Sequence, residues 1–116
     1  MKKGVLLILL FISALGFSQK NETTFEKEGN LVKATYFYDN GDIKVHGYFK
    51  NKQLTGTWTS YDLKGNKNQI ANYKGGKKVG KWLIWNNETI KEINYNKNTI
   101  VSVNNYKLAT RLVIKD

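Results

Sequence analysis

The sequence predicts an all-β protein of tandem antiparallel hairpins, and three observations predict it. Apolar and polar residues alternate with a period of two, turn residues fall between those stretches, and an aromatic–glycine motif returns after 24 residues. Alternation of this kind sends successive side chains to opposite faces of an extended chain, whereas a helix needs apolar positions three and four apart.

The repeat is read by laying one stretch over another. Phe49-Lys50-Asn51-Lys52-Gln53-Leu54-Thr55-Gly56-Thr57-Trp58 lies over Tyr73-Lys74-Gly75-Gly76-Lys77-Lys78-Val79-Gly80-Lys81-Trp82, so that aromatic, Lys, Gly and Trp coincide at an offset of 24. Upstream, Tyr38-Asp39-Asn40-Gly41-Asp42 is set over Tyr61-Asp62-Leu63-Lys64-Gly65-Asn66, with one extra residue in the second turn. A third unit begins at Trp85 and runs through Asn86-Asn87-Glu88 to Tyr95 and Asn96-Lys97-Asn98. It has lost its glycines, as terminal repeats often do.

Within a unit, Ile43, Val45, Gly47 and Phe49 alternate with Lys44, His46, Tyr48 and Lys50, which predicts a strand. Asp39-Asn40-Gly41 predicts the hairpin turn before it, because Asn and Gly both accept positive φ. Lys64-Gly65-Asn66 and Gly29-Asn30 are weaker forms of that signal. Gly56 and Gly80 each precede a tryptophan by two residues and are expected to be left-handed or to let the ring approach the backbone. The turn spacing predicts about eight short strands in a meander over residues 23–106. The stretch 107–116 reads as a strand, a short helix or a free tail.

Composition narrows the class of protein. At 116 residues the chain is one domain. It holds no cysteine or proline, so disulfides, thiolate metal sites and a cysteine-linked lipid anchor are excluded. Lys2 and Lys3 precede an apolar run, Val5 to Phe17, and small residues Gly16 and Ser18 precede Gln19. That is the layout of a signal peptide over 1–18, too short for the ~20 residues of a spanning helix. Cleavage near Ser18/Gln19 removes Lys2 and Lys3 and lowers the formal net charge from +10 to +8 on an exported, periplasmic or secreted chain. The remainder divides into a capping hairpin over 19–35, hairpin repeats over 36–106 (clear over 38–82, degenerate after 85) and the tail 107–116.

The residues that carry the repeat resemble the MORN-repeat variant found in tandem in many bacterial proteins, some labelled YwqK-type antitoxin component. The resemblance rests on Tyr38, Gly41, Gly47, Phe49, Gly56 and Trp58, then on Tyr61, Gly65, Ala71, Tyr73, Gly76, Gly80 and Trp82. It implies an elongated, single-layered twisted sheet and a role in binding or scaffolding.

Candidate chemistry is sparse. Gly75 to Lys81 fits a phosphate-loop spacing, but Trp82 stands where a Ser or Thr must hold magnesium, and a strand follows where a helix should open. His46 is the single histidine and reads as a solvent-facing strand residue. The acids (Glu22, Glu26, Glu28, Asp39, Asp42, Asp62, Glu88, Glu92, Asp116) are scattered, several of them in turns, with no pair placed for acid–base work. No catalytic, cofactor or metal residue is assigned, and the chain reads as non-enzymatic.

The aromatics carry more. Phe49, Trp58, Tyr73 and Trp82 are expected to form the core, one ring per strand. Alternation then exposes Tyr48 opposite Phe49 and Trp85 opposite Trp82. The expected contact surface is Tyr48, Tyr61 and Trp85 with the basic turn of Lys74, Lys77, Lys78 and Lys81. A protein partner suits it best. An antitoxin-like or immunity-like partner of one exported protein is the second reading, and a basic module for anionic lipid or polysaccharide the third. Nucleic acid would suit the charge, but export argues against it. The open edges would also allow a dimer.

Overall fold

The computed structural model describes residues 22–108; the expected signal peptide and residues 109–116 of the tail lie outside them. The described chain is all-β. Its strands are β1 (Thr24–Glu28), β2 (Leu31–Phe37), β3 (Ile43–Lys50), β4 (Gln53–Tyr61), β5 (Lys67–Lys74), β6 (Lys77–Lys78), β7 (Gly80–Asn86), β8 (Thr89–Asn96) and β9 (Thr99–Lys107). They form one open, twisted antiparallel sheet in the order β1-β2-β3-β4-β5-β7-β8-β9, with the short β6 also on β5. β6 and β7 are one strand broken by a bulge, so eight full strands make the meander. Lys107 still belongs to β9, and the Leu108 N–H donates to the Glu88 carbonyl at 2.6 Å.

The offset of 24 holds at the level of hydrogen bonds. In the first turn the Tyr38 N–H donates to the Asp42 carbonyl (2.8 Å), and in the second the Asp62 N–H donates to Asn66 (2.8 Å). Gly41 and Gly65, also 24 apart, sit at φ 95° and 87°. The two turns are therefore equally long. The extra residue read from the sequence is an error of alignment: Tyr38 corresponds to Asp62, and Tyr61 to Phe37. The aromatic pair misled the alignment, whereas the main-chain closures and the two glycines decide it. The side chains close the two turns from different positions: Asp62 Oδ1 accepts the N–H groups of Lys64 and Asn66 (both 2.9 Å), while in the first turn Asn40 Oδ1 accepts that of Asp42 (2.8 Å).

The third unit is ordered although it lacks glycine. Asn87, Lys97 and Asn98 take up φ of 55°, 47° and 71° in its turns. Asn tolerates this region through its short polar side chain. Asn98 is also tied to its neighbour: its N–H donates to the Lys78 carbonyl and its Oδ1 accepts the Lys78 N–H, both at 2.9 Å.

One face of the sheet holds the core, built as a row across the strands. Ala34 pairs with Gly47, Trp58 with Ala71 and Trp82 with Ile93; the pairs Gln69–Ile84 and Ile70–Leu83 carry the register from Ala71 to Trp82. Strands lie about 4.8 Å apart, less than the breadth of an indole. A tryptophan in such a row therefore needs small neighbours, and Gly47 and Ala71 supply them. Ala34, Trp58, Ala71 and Trp82 are buried, with Tyr36, Val45, Phe49, Leu54, Tyr73, Ile93 and Tyr95 packed around them. Phe49 meets Trp58 edge-on at 5.2 Å and 80°; Tyr73 meets Trp82 at 5.2 Å and 69°. Edge-on pairs of this kind contribute about 0.5–1.5 kcal/mol beyond area burial.

Trp58 and Trp82 each sit at a bulge. His46 pairs with Thr59 but Tyr48 with Thr55, so β4 carries two residues more than β3 across the step. The same step separates Ile70–Leu83 from Tyr73–Lys78. Gly56 and Gly80, at φ 69° and 65°, turn the chain there. The indole N–H then reaches a carbonyl beside the bulge, Tyr48 for Trp58 (3.1 Å) and Asn72 for Trp82 (3.0 Å). The Gly-x-Trp spacing is thus explained by backbone geometry.

Candidate functional site

In a meander, successive turns alternate between the two ends of the strands. Turns 51–52, 75–76 and 97–98 lie at one end, and turns 38–42, 62–66 and 87–88 at the other. This alternation divides the expected contact surface. Lys74 and Lys77 flank the turn at one end of β5, while Tyr61 precedes the turn at its other end. An eight-residue strand separates them, about 25 Å at 3.4 Å per residue. The single surface expected from the sequence is two surfaces.

The first is a basic rim. In the stretches 50–53, 74–78 and 96–99 the charged residues are all lysines: Lys50, Lys52, Lys74, Lys77, Lys78 and Lys97. The turns are knitted together, since the Gly76 N–H donates to the Leu54 carbonyl at 2.9 Å, as Asn98 does to Lys78. Tyr48 belongs to this end, paired with Lys33 and Thr55. Two of the expected lysines behave differently. Lys78 lays its Nζ over Trp82 (5.1 Å) and Tyr95 (5.2 Å) and so covers the core. Lys81 stands in β7, paired with Asn94, away from the turn.

The second surface is a depression of about 330 Å³ at the opposite end, lined by Tyr38, Lys44, Tyr61, Asn68, Gln69 and Trp85 among others. It brings together Tyr61 and Trp85. The Tyr38 hydroxyl donates to the Tyr61 carbonyl at 2.7 Å and fixes one wall, with Lys44 Nζ over the Tyr38 ring at 5.6 Å. Asn68 contributes to the same wall, and its Oδ1 is buried with no hydrogen-bond partner among the described residues.

None of the three proposed contact rings is fully exposed. Tyr48, Tyr61 and Trp85 are all half-buried, because strand neighbours flank each of them. Sequence reasoning also missed Tyr38, Lys44, Asn68 and Gln69 as wall residues, since no periodic signal marks a depression formed across four strands.

His46 is not a free solvent-facing side chain either. It is half-buried, its Nε2 lies 3.1 Å from the Tyr61 hydroxyl, and the two rings are 5.6 Å apart. Burial, with the positive charges of Lys33 and Lys67, lowers its pKa below the ordinary 6.5. The unfolded chain therefore takes up the proton first as pH falls. Stability is full above about pH 6.5 and declines as pH drops toward the folded-state pKa. A ring-proton NMR titration should place the midpoint of this single histidine below 6.5, and His46→Gln should flatten the fall in stability. A midpoint at or above 6.5 would contradict the packing described.

Among the described residues no three His, Asp or Glu side chains gather as a metal-binding set. Comparison with protein-family models, curated proteins and solved structures gives no match to this chain.

Proposed function

We propose that the chain is an exported, MORN-type repeat protein of the bacterial cell envelope that works as a non-catalytic binding module for another protein. The observation that carries this reading is the depression at Tyr61 and Trp85. It joins rings, amides and one ammonium group across four strands. Aromatic walls give contact area at small entropic cost, and the amides of Asn68 and Gln69 supply polar partners at their rim.

The test is capture of envelope proteins on the tagged chain from Gln19 onward, at low and high salt, read by mass spectrometry. One protein should remain bound at high salt, and the double variant Tyr61→Ala/Trp85→Ala should weaken it at least about tenfold. Unchanged affinity in that variant would sink the reading.

The basic rim favours a second reading, a module for anionic lipid or polysaccharide, because three adjacent turns present lysine as their sole charged residue type. Binding of that kind falls with salt. It would be lost in Lys52→Glu/Lys74→Glu/Lys77→Glu and kept in the ring variant.

A further inference from the structure

The two outer strands of the sheet differ in a way that concerns association. β1 is five residues long, and Glu26, Lys27 and Glu28 are charged. Short, charged outer strands are how sheets avoid pairing with other chains. β9 runs nine residues and carries no charge before Lys107. Its Ile100, Val101, Val103 and Tyr106 are 46–65% exposed. Among the described residues, nothing pairs with β9 on the side away from β8.

The direction of its free backbone groups follows from one hydrogen bond. The Leu108 N–H points toward the β8 side, where it meets Glu88. Main-chain groups alternate sides along an antiparallel strand, so Val103, Asn105 and Lys107 present N–H and C=O outward. The core row of Trp82 and Ile93 also ends at Val103, half open to water.

We propose that β9 is a self-association surface, on which a second copy of this chain pairs antiparallel across a two-fold axis to make one continuous sheet. The absence of charge selects a second copy. In a two-fold pair, residues near the axis face their own kind, and like charges directly opposite are destabilising. The stretch 99–106 has none. The regular part of β9, Ser102 to Lys107, lies on one side of the bulge at Val101; with the axis at Val103, Lys107 stands four residues from it and is not set against another lysine, and the apolar row runs on through Val103 into its own image. This pairing is independent of what occupies the depression at Trp85.

The test is sedimentation velocity of the purified exported protein over a wide range of concentration, with amide hydrogen exchange followed at Val103 and Asn105. A monomer–dimer equilibrium is expected, with both amides slowing as dimer forms. Val103→Lys should weaken the dimer at least about tenfold by placing like charges together. Phe25→Lys, on the opposite edge, should leave it unchanged. Val103 is exposed, so the variant keeps its fold, checked by unchanged circular dichroism. A monomer at every concentration with fast exchange overturns the proposal. So does a monomer whose Val103 and Asn105 amides are already protected, the result if residues 109–116 or another segment covered the edge. A dimer indifferent to Val103→Lys overturns it as well.

Discussion

Replacing Gly47 with alanine is expected to destabilise the protein by about 3 kcal/mol, the upper part of the range for overpacking a filled site. A Cβ built on Gly47 would lie 2.0 Å from Cδ2 of Trp58 and 2.3 Å from Cε2. The indole has little room to yield. Its N–H is bonded to the Tyr48 carbonyl at 3.1 Å, Phe49 stands edge-on to one side and Tyr36 lies at 6.4 Å. A urea titration measures the cost, and a double-mutant cycle identifies its cause. In a Trp58→Ala background the clash is gone, and Gly47→Ala should be neutral or mildly stabilising, since alanine is favoured over glycine in a strand by roughly 0.5–1 kcal/mol. If the cost of Gly47→Ala were the same in both backgrounds, contact with Trp58 would not be its origin.

The second large effect is expected at Trp82. Its ring meets Tyr73 at 5.2 Å and Tyr95 at 5.1 Å, both edge-on, with Lys78 Nζ 5.1 Å from its centroid. It thereby joins the second unit to the third. Trp82→Ala should cost about 3–5 kcal/mol, the usual range for truncating a large aromatic in a core. That is a fall in Tm of more than about 12 °C for a domain of this size. Trp82→Phe keeps a ring against both tyrosines and loses the bond to the Asn72 carbonyl, so its cost should be smaller, about 1–2 kcal/mol. Similar losses for the two variants would mean that the indole N–H, rather than the ring packing, dominates.

The fold class was legible because its determinants are local. Alternation from Ile43 to Lys50, Asn40-Gly41 and the Gly-x-Trp spacing each act within a few residues. The core rings were legible for the same reason: Trp58 and Trp82 are buried, with Phe49 and Tyr73 against them. What was missed depends on which strand end a residue occupies. Tyr61 and Lys74 are both in the repeat and close in sequence, yet a whole strand holds them apart. Glycine was also an incomplete marker of turns, because Asn87 and Asn98 adopt the same backbone region. The depression drew Asn68 and Trp85 from separate strands, and the bare edge at β9 became visible only once β8 was known to be its sole neighbour among the described residues.

The constant offset of 24 has a consequence for how such a chain changes length. Gly47 and Trp58 recur as Ala71 and Trp82, with the same bulge and the same indole bond, so each period closes on its neighbours without reference to the rest of the sheet. Duplicating or excising one period in register inserts or removes two strands and one turn of the basic rim and leaves every other junction as it was. Turns at one end of the strands recur every second strand, roughly 9.5 Å apart. The number of periods therefore acts as a ruler, setting in steps of that size how long a row of positive charge the protein can present.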